Sequence, residues 1–197
     1  MDRQRTGEIS RRTAETDIKL RLNIDGTGSY RINTGVGFFD HMLTLFARHG
    51  AFDLELIASG DLSVDAHHTV EDTGICLGRA FKAALGEKKG INRFGHALVP
   101  MDEALAMVAV DISGRGFLAF PDVFPAAKVG EFDLELVAEF CRALAVNGEF
   151  TLHVRLLAGR NHHHICEAVF KALGRALRDA VSLADRGPGV PSTKGIL

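Results

Sequence analysis

Apolar and polar residues alternate along this chain with two periods, and the switch between them occurs twice in the same order. From Ile18, "IKLRLNID" alternates apolar and polar positions, the period-two pattern of a strand with one buried face. A Gly-containing stretch and a second short run follow, so 18–32 reads as strand, hairpin turn, strand. Over 38–50, "FFDHMLTLFARHG" has apolar residues at helical spacing and stops at a glycine. Period two returns in "HGAFDLELIA" (49–58), and a second helix begins near residue 67. The series then restarts. "LAMVAVDISGRGFLAF" (105–120), "LVAEFCRALAVNG" (136–148), "NGEFTLHVRL" (147–156) and a helix from about residue 163 repeat the four segments. Each half is strand–strand–helix–strand–helix, which predicts an α+β fold with the helices packed on one face of the sheets. The expected organisation is one domain over 1–197, with repeats at about 10–88 and 96–185. They join through "LGEKKGINRFG" (85–95), and an irregular Gly- and Pro-rich tail follows at 186–197.

The repeat is sharpest at the second helix of each half. "HHTVEDTGICLGRA" (67–80) and "HHICEAVFKALGRA" (163–176) both read H-H-x-x-E, six residues, G-R-A. Asp65 and Asn161 precede them at matching places, and both residue types cap helices. In a first helical turn, residues four apart share a face, so His67 lies with Glu71 and His163 with Glu167. Adjacent histidines diverge by roughly 100° around the axis, so each pair serves two different sites rather than gripping one ion. On the preceding helix His41 aligns with Glu139. The donors His41, His67, His68, Glu71, Glu139, His163, His164 and Glu167 form a mixed imidazole–carboxylate set. It suits Mn, Fe, Zn, Ni or Co better than Ca or Mg. His162 has Ala66 as its counterpart and stands outside the repeated unit, and His96 and His153 also lack matched histidines. Cys166 aligns with Val70, which marks it as packing.

Composition narrows the setting. The chain has 197 residues, 46% hydrophobic and 24% charged, with net charge −2, so no basic field favours nucleic acid or an anionic membrane. Three widely spaced cysteines without a CxxC pair argue for a reducing compartment. No apolar leader pattern and no run long enough to span a bilayer is present, so a cytoplasmic protein is expected.

A metal pair needs a substrate. Arg93, Arg115, Lys171 and Lys194 are basic residues able to hold an anion, and "PSTKG" (191–195) adds Ser192 and Thr193 as a phosphate clamp. His49 ends the helix that begins near His41, where structural and catalytic roles compete. Glu15 and Glu103 precede the first recognised strand of each half, as surface residues or site carboxylates.

Together these motifs resemble the imidazoleglycerol-phosphate dehydratase family. The likeness is carried by "ETDI" (15–18), "GFFDHML" (37–43), "RHG" (48–50), "DAHHTVED" (65–72), "GHALVPMDEAL" (95–105), "GRNHHHICEAVFKALGRALR" (159–178) and "VPSTKG" (190–195). The resemblance implies a ribosomal protein S5 domain 2-like fold, two Mn²⁺ per active site and a 24-subunit cage of trimers with sites between subunits. It implies that His41, His67, His68, Glu71, His163, His164 and Glu167 bind or flank the metals. Glu139 joins them where some relatives carry His. Glu15 and His49 would contact substrate or move protons, with Glu167 as a rival base. Arg93, Arg115, Lys171, Ser192, Thr193 and Lys194 would hold the phosphate end. The implied substrate is a phosphorylated imidazole. Two other readings stand beside this one: a dinuclear metallohydrolase, and a metal-held assembly protein without turnover.

Overall fold

The computed structural model describes residues 5–120, 127–184, 189–195 and 197. The first repeat consists of β1 (Thr6–Arg12), β2 (Thr16–Asn23), β3 (Tyr30–Asn33), α1 (Gly37–Gly50), β4 (Asp53–Gly60) and α2 (His67–Leu85). The second begins with β5 (Phe94–Met101), β6 (Ala104–Asp111) and β7 (Phe117–Ala119). A short hairpin, β8 (Lys128–Val129) and β9 (Phe132–Asp133), is inserted before α3 (Glu135–Gly148), β10 (Thr151–Ala158) and α4 (His162–Val181).

The two sheets have the same order, β1-β2-β4-β3 and β5-β6-β10-β7. This corrects the hairpin expected over 18–32 and its copy over 105–120. β2 and β3 do not pair; β4 lies between them, antiparallel to β2 and parallel to β3. The true hairpins are β1–β2, closed at Arg12↔Asp17, and β5–β6, closed at Met101↔Ala104. Glu15 and Glu103 therefore sit in hairpin turns, not ahead of a first strand. β1 escaped the pattern because its inward positions are Gly7, Ile9 and Arg11, and only one of these is a hydrophobic side chain.

Each sheet buries one face under the helices of its own repeat, and the two helix layers meet, α1 on α4 and α2 on α3. The matched glycines of the repeat make that close approach possible. A Cβ at Gly174 would overlap the Phe46 carbonyl oxygen, and one at Gly78 would lie 2.6 Å from the Leu144 carbonyl oxygen. Replacing Gly174 by Ala is expected to cost about 2 kcal/mol, because the α1–α4 contact must open to admit a methyl group. Denaturant midpoints measure this, and an unchanged midpoint would show that the helices separate freely.

The paired helices run parallel. Early α1 meets early α4 at His41 and Glu167, and late α1 meets the middle of α4 at Gly50 and Gly174. Within each repeat, α1 and α2, or α3 and α4, both start beyond the ends of parallel strands. All four helix N-termini consequently gather at one end of the molecule. The motif histidines are on those N-termini.

Candidate metal centre and active site

The first turn of α4 is held by Asn161, whose side-chain oxygen accepts from the backbone N–H of His163 (2.9 Å) and His164 (3.4 Å). At α2 the Asp65 carboxylate accepts from His67 N–H at 2.7 Å, and the helix starts at His67, one residue later than a strict Asp65 cap. Both histidine pairs thus occupy a first turn. Their rings splay apart, 6.1 Å and 83° between His67 and His68, 6.4 Å and 82° between His163 and His164.

The first histidine of the α4 pair turns toward α1. His163 Nε2 and His41 Nε2 each lie 3.1 Å from the same Glu167 oxygen, Oε1. One ligand atom from each of these three residues falls within 4.8 Å of the other two. Two imidazoles and a carboxylate at this spacing fit a borderline transition-metal ion. The other Glu167 oxygen accepts from Lys171 Nζ at 2.6 Å. Burial pushes the Glu167 carboxyl up, but Lys171, His41 and His163 outweigh it and hold it down at about 2. It is an anion at every working pH, as a metal ligand requires.

The second histidine of each pair turns elsewhere. His164 Nδ1 lies 2.7 Å from Glu103, and that carboxylate also accepts from the backbone N–H of Asn161 (2.7 Å) and Arg160 (3.2 Å). The His164 contact is the main cause, followed by the Asn161 N–H, of a Glu103 carboxyl held near 2; Glu103 in turn raises His164. His68 Nδ1 lies 3.0 Å from Asp61, which raises His68. In both cases a carboxylate takes the Nδ1 side of the ring, and Nε2 lies 3.8 Å from a second carboxylate, Glu15 for His68 and Asp102 for His164. That is how the ligating nitrogen of a metal-bound histidine is commonly oriented.

The repeat-equivalent of the His41–His163–Glu167 cluster is more open. His67 Nε2 is 3.9 Å from Glu71, with both side chains more than 40% exposed, against 11% for Glu167. Glu139 is paired with Arg142 at 2.6 Å. His49 lies about two turns beyond His41; burial lowers its pKa first, and the Lys171 and Arg175 charges add to that, which favours the neutral imidazole. Cys166 is buried in the core and its thiol is lifted to about 12, as a packing residue should be.

The expected phosphate-binding residues do not gather at this end. Arg93 pairs with Asp111 at 2.7 Å and donates to the Pro191 carbonyl at 2.8 Å, so it tethers the tail that carries Ser192, Thr193 and Lys194. Arg115 lies next to Gly114, against which Leu197 packs. Arg93 N–H donates to the Ala180 carbonyl, at the far end of α4 from His164. Sixteen helical residues separate those levels by about 24 Å. Of the proposed phosphate ligands, only Lys171 stands beside the histidines.

Sequence reasoning missed Asp61. It lies in the β4–α2 connection, which is longer than the β10–α4 connection, so the repeat offered no counterpart to compare.

Residues 34–177 match the family model for imidazoleglycerol-phosphate dehydratase. The chain is 61% identical over 194 residues to the protein of that name from Pelotomaculum thermopropionicum, covering 98% of this chain and 99% of the relative. It is 62% identical over 193 residues to that of Desulforamulus reducens, covering 98% of each. This chain belongs to the imidazoleglycerol-phosphate dehydratase family. The family's members are hydro-lyases of histidine biosynthesis, and that is the class of this enzyme. Its fold is shared with the Staphylococcus aureus dehydratase, at a TM-score of 0.82 and 42% identity over 91% of this chain and 99% of the other. The Pyrococcus furiosus enzyme, solved in complex with (S)-C348, gives a TM-score of 0.83 at 41% identity over 96% and 100%. Among the described residues no helix is long and apolar enough to cross a membrane.

Proposed function

We propose that this dehydratase removes water from D-erythro-imidazole-glycerol phosphate to give imidazole-acetol phosphate, and that it works with two Mn²⁺ per active site in the cytoplasm. The observation that carries the metal reading is the convergence of His41, His163 and Glu167 on one point. These three would hold one ion. His67, Glu71 and Glu139 are their repeat-equivalents for the other, with Nε2 of His68 and His164 completing the set. Bound manganese would supply Lewis acidity at the substrate's imidazole nitrogens, so that the ring carries negative charge while water is lost. The chain's own groups do the rest. The hydroxyl leaves from the carbon next to the ring as water, with the proton given up by the ring N–H, and the neighbouring C–H becomes acidic. Glu15 takes that proton, with His49 or Glu167 as the rival acceptor, and the enol becomes the ketone. Glu15 suits this role because, among the described residues, its carboxylate accepts no hydrogen bond, its ion pair with His68 Nε2 is long at 3.8 Å, and its side chain is 53% exposed.

The separation of histidines from phosphate ligands supports an assembly in which one copy supplies the metal end and a neighbour supplies Arg93, Arg115, Ser192, Thr193 and Lys194. The sheets support this too. The outer face of the first carries Glu8, Lys19, Arg21 and Glu55 with Ile57, whereas that of the second carries Phe94, Leu98, Pro100, Leu105, Met107 and Phe117 around His96, His153 and Arg155. Phe94, Leu98 and Phe117 are each more than half exposed, and a face with this many exposed apolar side chains belongs in an interface. A 24-subunit cage of trimers would bury it.

The deciding assay uses imidazole-glycerol phosphate after chelation, with Mn²⁺ added back. Dehydration should vanish on chelation and return with manganese. Dehydration that survives complete metal removal would defeat the metal reading, and phosphate release without dehydration would point to a hydrolase. Replacing Lys194 by Ala should chiefly raise KM; a KM that stays put would remove the tail from the clamp.

A further inference from the structure

The two hairpin turns that carry Glu15 and Glu103 are the same piece of backbone held by opposite means. Gly7 and Gly95 fix the alignment, since each lies under a helix carbonyl, Ala80 and Ala176 respectively. Arg11, Thr13, Thr16 and Asp72 then correspond to Val99, Met101, Ala104 and Ala168. In the second repeat the turn is tied down by the carboxylate itself, because Glu103 accepts from Arg160 N–H, Asn161 N–H and His164. In the first repeat a buried polar chain does the tying. Asp72, 6% exposed, accepts from Arg11 Nη2 at 2.8 Å and from the Thr16 hydroxyl at 2.5 Å. An ionised carboxylate only accepts, so the Thr16 proton is committed to Asp72. The Thr16 oxygen is therefore left to accept from the Thr13 hydroxyl at 3.2 Å. Thr13 Oγ1 is then free to accept from the backbone N–H of Glu15 (3.1 Å) and of Thr16 (2.9 Å).

The fold does not need this chain. The second repeat builds the same strands, turn and helix with apolar residues in its place. A buried ion pair seldom stabilises more than the apolar packing that could replace it, and Arg11 Nε is buried here without a partner among the described residues. We propose that Arg11, Asp72, Thr16 and Thr13 form a positioning relay that holds the Glu15 turn by its backbone and so leaves the Glu15 carboxylate free to meet substrate. Glu103, its twin, is consumed in holding its own turn and orienting His164. The relay rests on the reading of Glu15 as the proton acceptor.

The test gives the first repeat the residues of the second, as Arg11→Val, Thr16→Ala and Asp72→Ala in one assembled, manganese-loaded enzyme. Melting temperature, subunit assembly and bound manganese should stay at parental values while kcat falls roughly 10²-fold, since a small misplacement of a reacting group has that cost. KM should hold. If the triple variant fails to assemble, Thr16→Val and Thr16→Ser decide: Val should lose the same turnover at parental manganese content, and Ser, which keeps the hydroxyl, should recover it. Parental kcat in the triple or in Thr16→Val overturns the relay, as does a fall in turnover matched by a loss of manganese. Glu15→Gln is measured alongside. If it keeps full turnover, the Glu15 reading fails and takes the relay with it. If it is inactive while the triple is not, the relay alone fails.

Discussion

Glu167→Gln is expected to lose manganese and turnover together, with kcat falling roughly 10²–10⁴-fold. Glu167 is where three elements of charge converge: two imidazoles at 3.1 Å on one oxygen and the Lys171 ammonium at 2.6 Å on the other. A neutral amide keeps the shape but removes the anion, so the cluster becomes two imidazoles and an unpaired ammonium at a poorly hydrated place. Metal content by elemental analysis and dehydration of imidazole-glycerol phosphate read the two losses separately; a variant that keeps its manganese would remove Glu167 from the ligand set. The metal-free protein carries a pH signature of the same residue. Its folded carboxyl is held near 2, below an ordinary value of 4.5. The stability it contributes is therefore fully present above pH 4.5 and drains away as pH falls toward 2. Acid unfolding of the metal-free parent should steepen in that window, and the Gln variant should lack that component.

The second large effect is a gain. Glu167→Gln and the pair Arg115→Ala with Lys194→Ala should each be inactive alone, yet regain activity when refolded or expressed together. Each active site is proposed to take its histidine end from one copy and its phosphate end from another. Mixed assemblies therefore contain sites with both ends intact, roughly a quarter of the total under random pairing. Activity of the mixture no greater than the sum of the two separate variants would show that each site is built within one chain, despite the length of α4 between its parts.

Much of this enzyme could be read before its structure. The period-3.6 segments became α1 to α4 within a residue or two, because amphipathic helices announce the face they bury. The H-H-x-x-E pairs stood in first turns as expected, because capping and helical geometry are local. β1 and β5 were not legible, since the buried face of β1 is made of Gly7, Ile9 and Arg11, and β5 carries apolar residues on both faces and so lacks a clear alternation. Pairing was not legible either: β2 followed by β3 looks like a hairpin until β4 is found between them.

The sequence alone determined the repeat, the helices, the donor types and their divergence around each helix, all properties of residues a few positions apart. Only the tertiary structure decided which donors meet. It brought His41 to His163 and Glu167 across 126 residues, gave His68 to Asp61 and His164 to Glu103, and sent Arg93 and the tail to the opposite end. It also told the two turn glutamates apart, one locked and one free. The meeting of His41 with His163 and Glu167 depends on how close α1 can come to α4, which is set at Gly50 and Gly174 by the absence of a side chain.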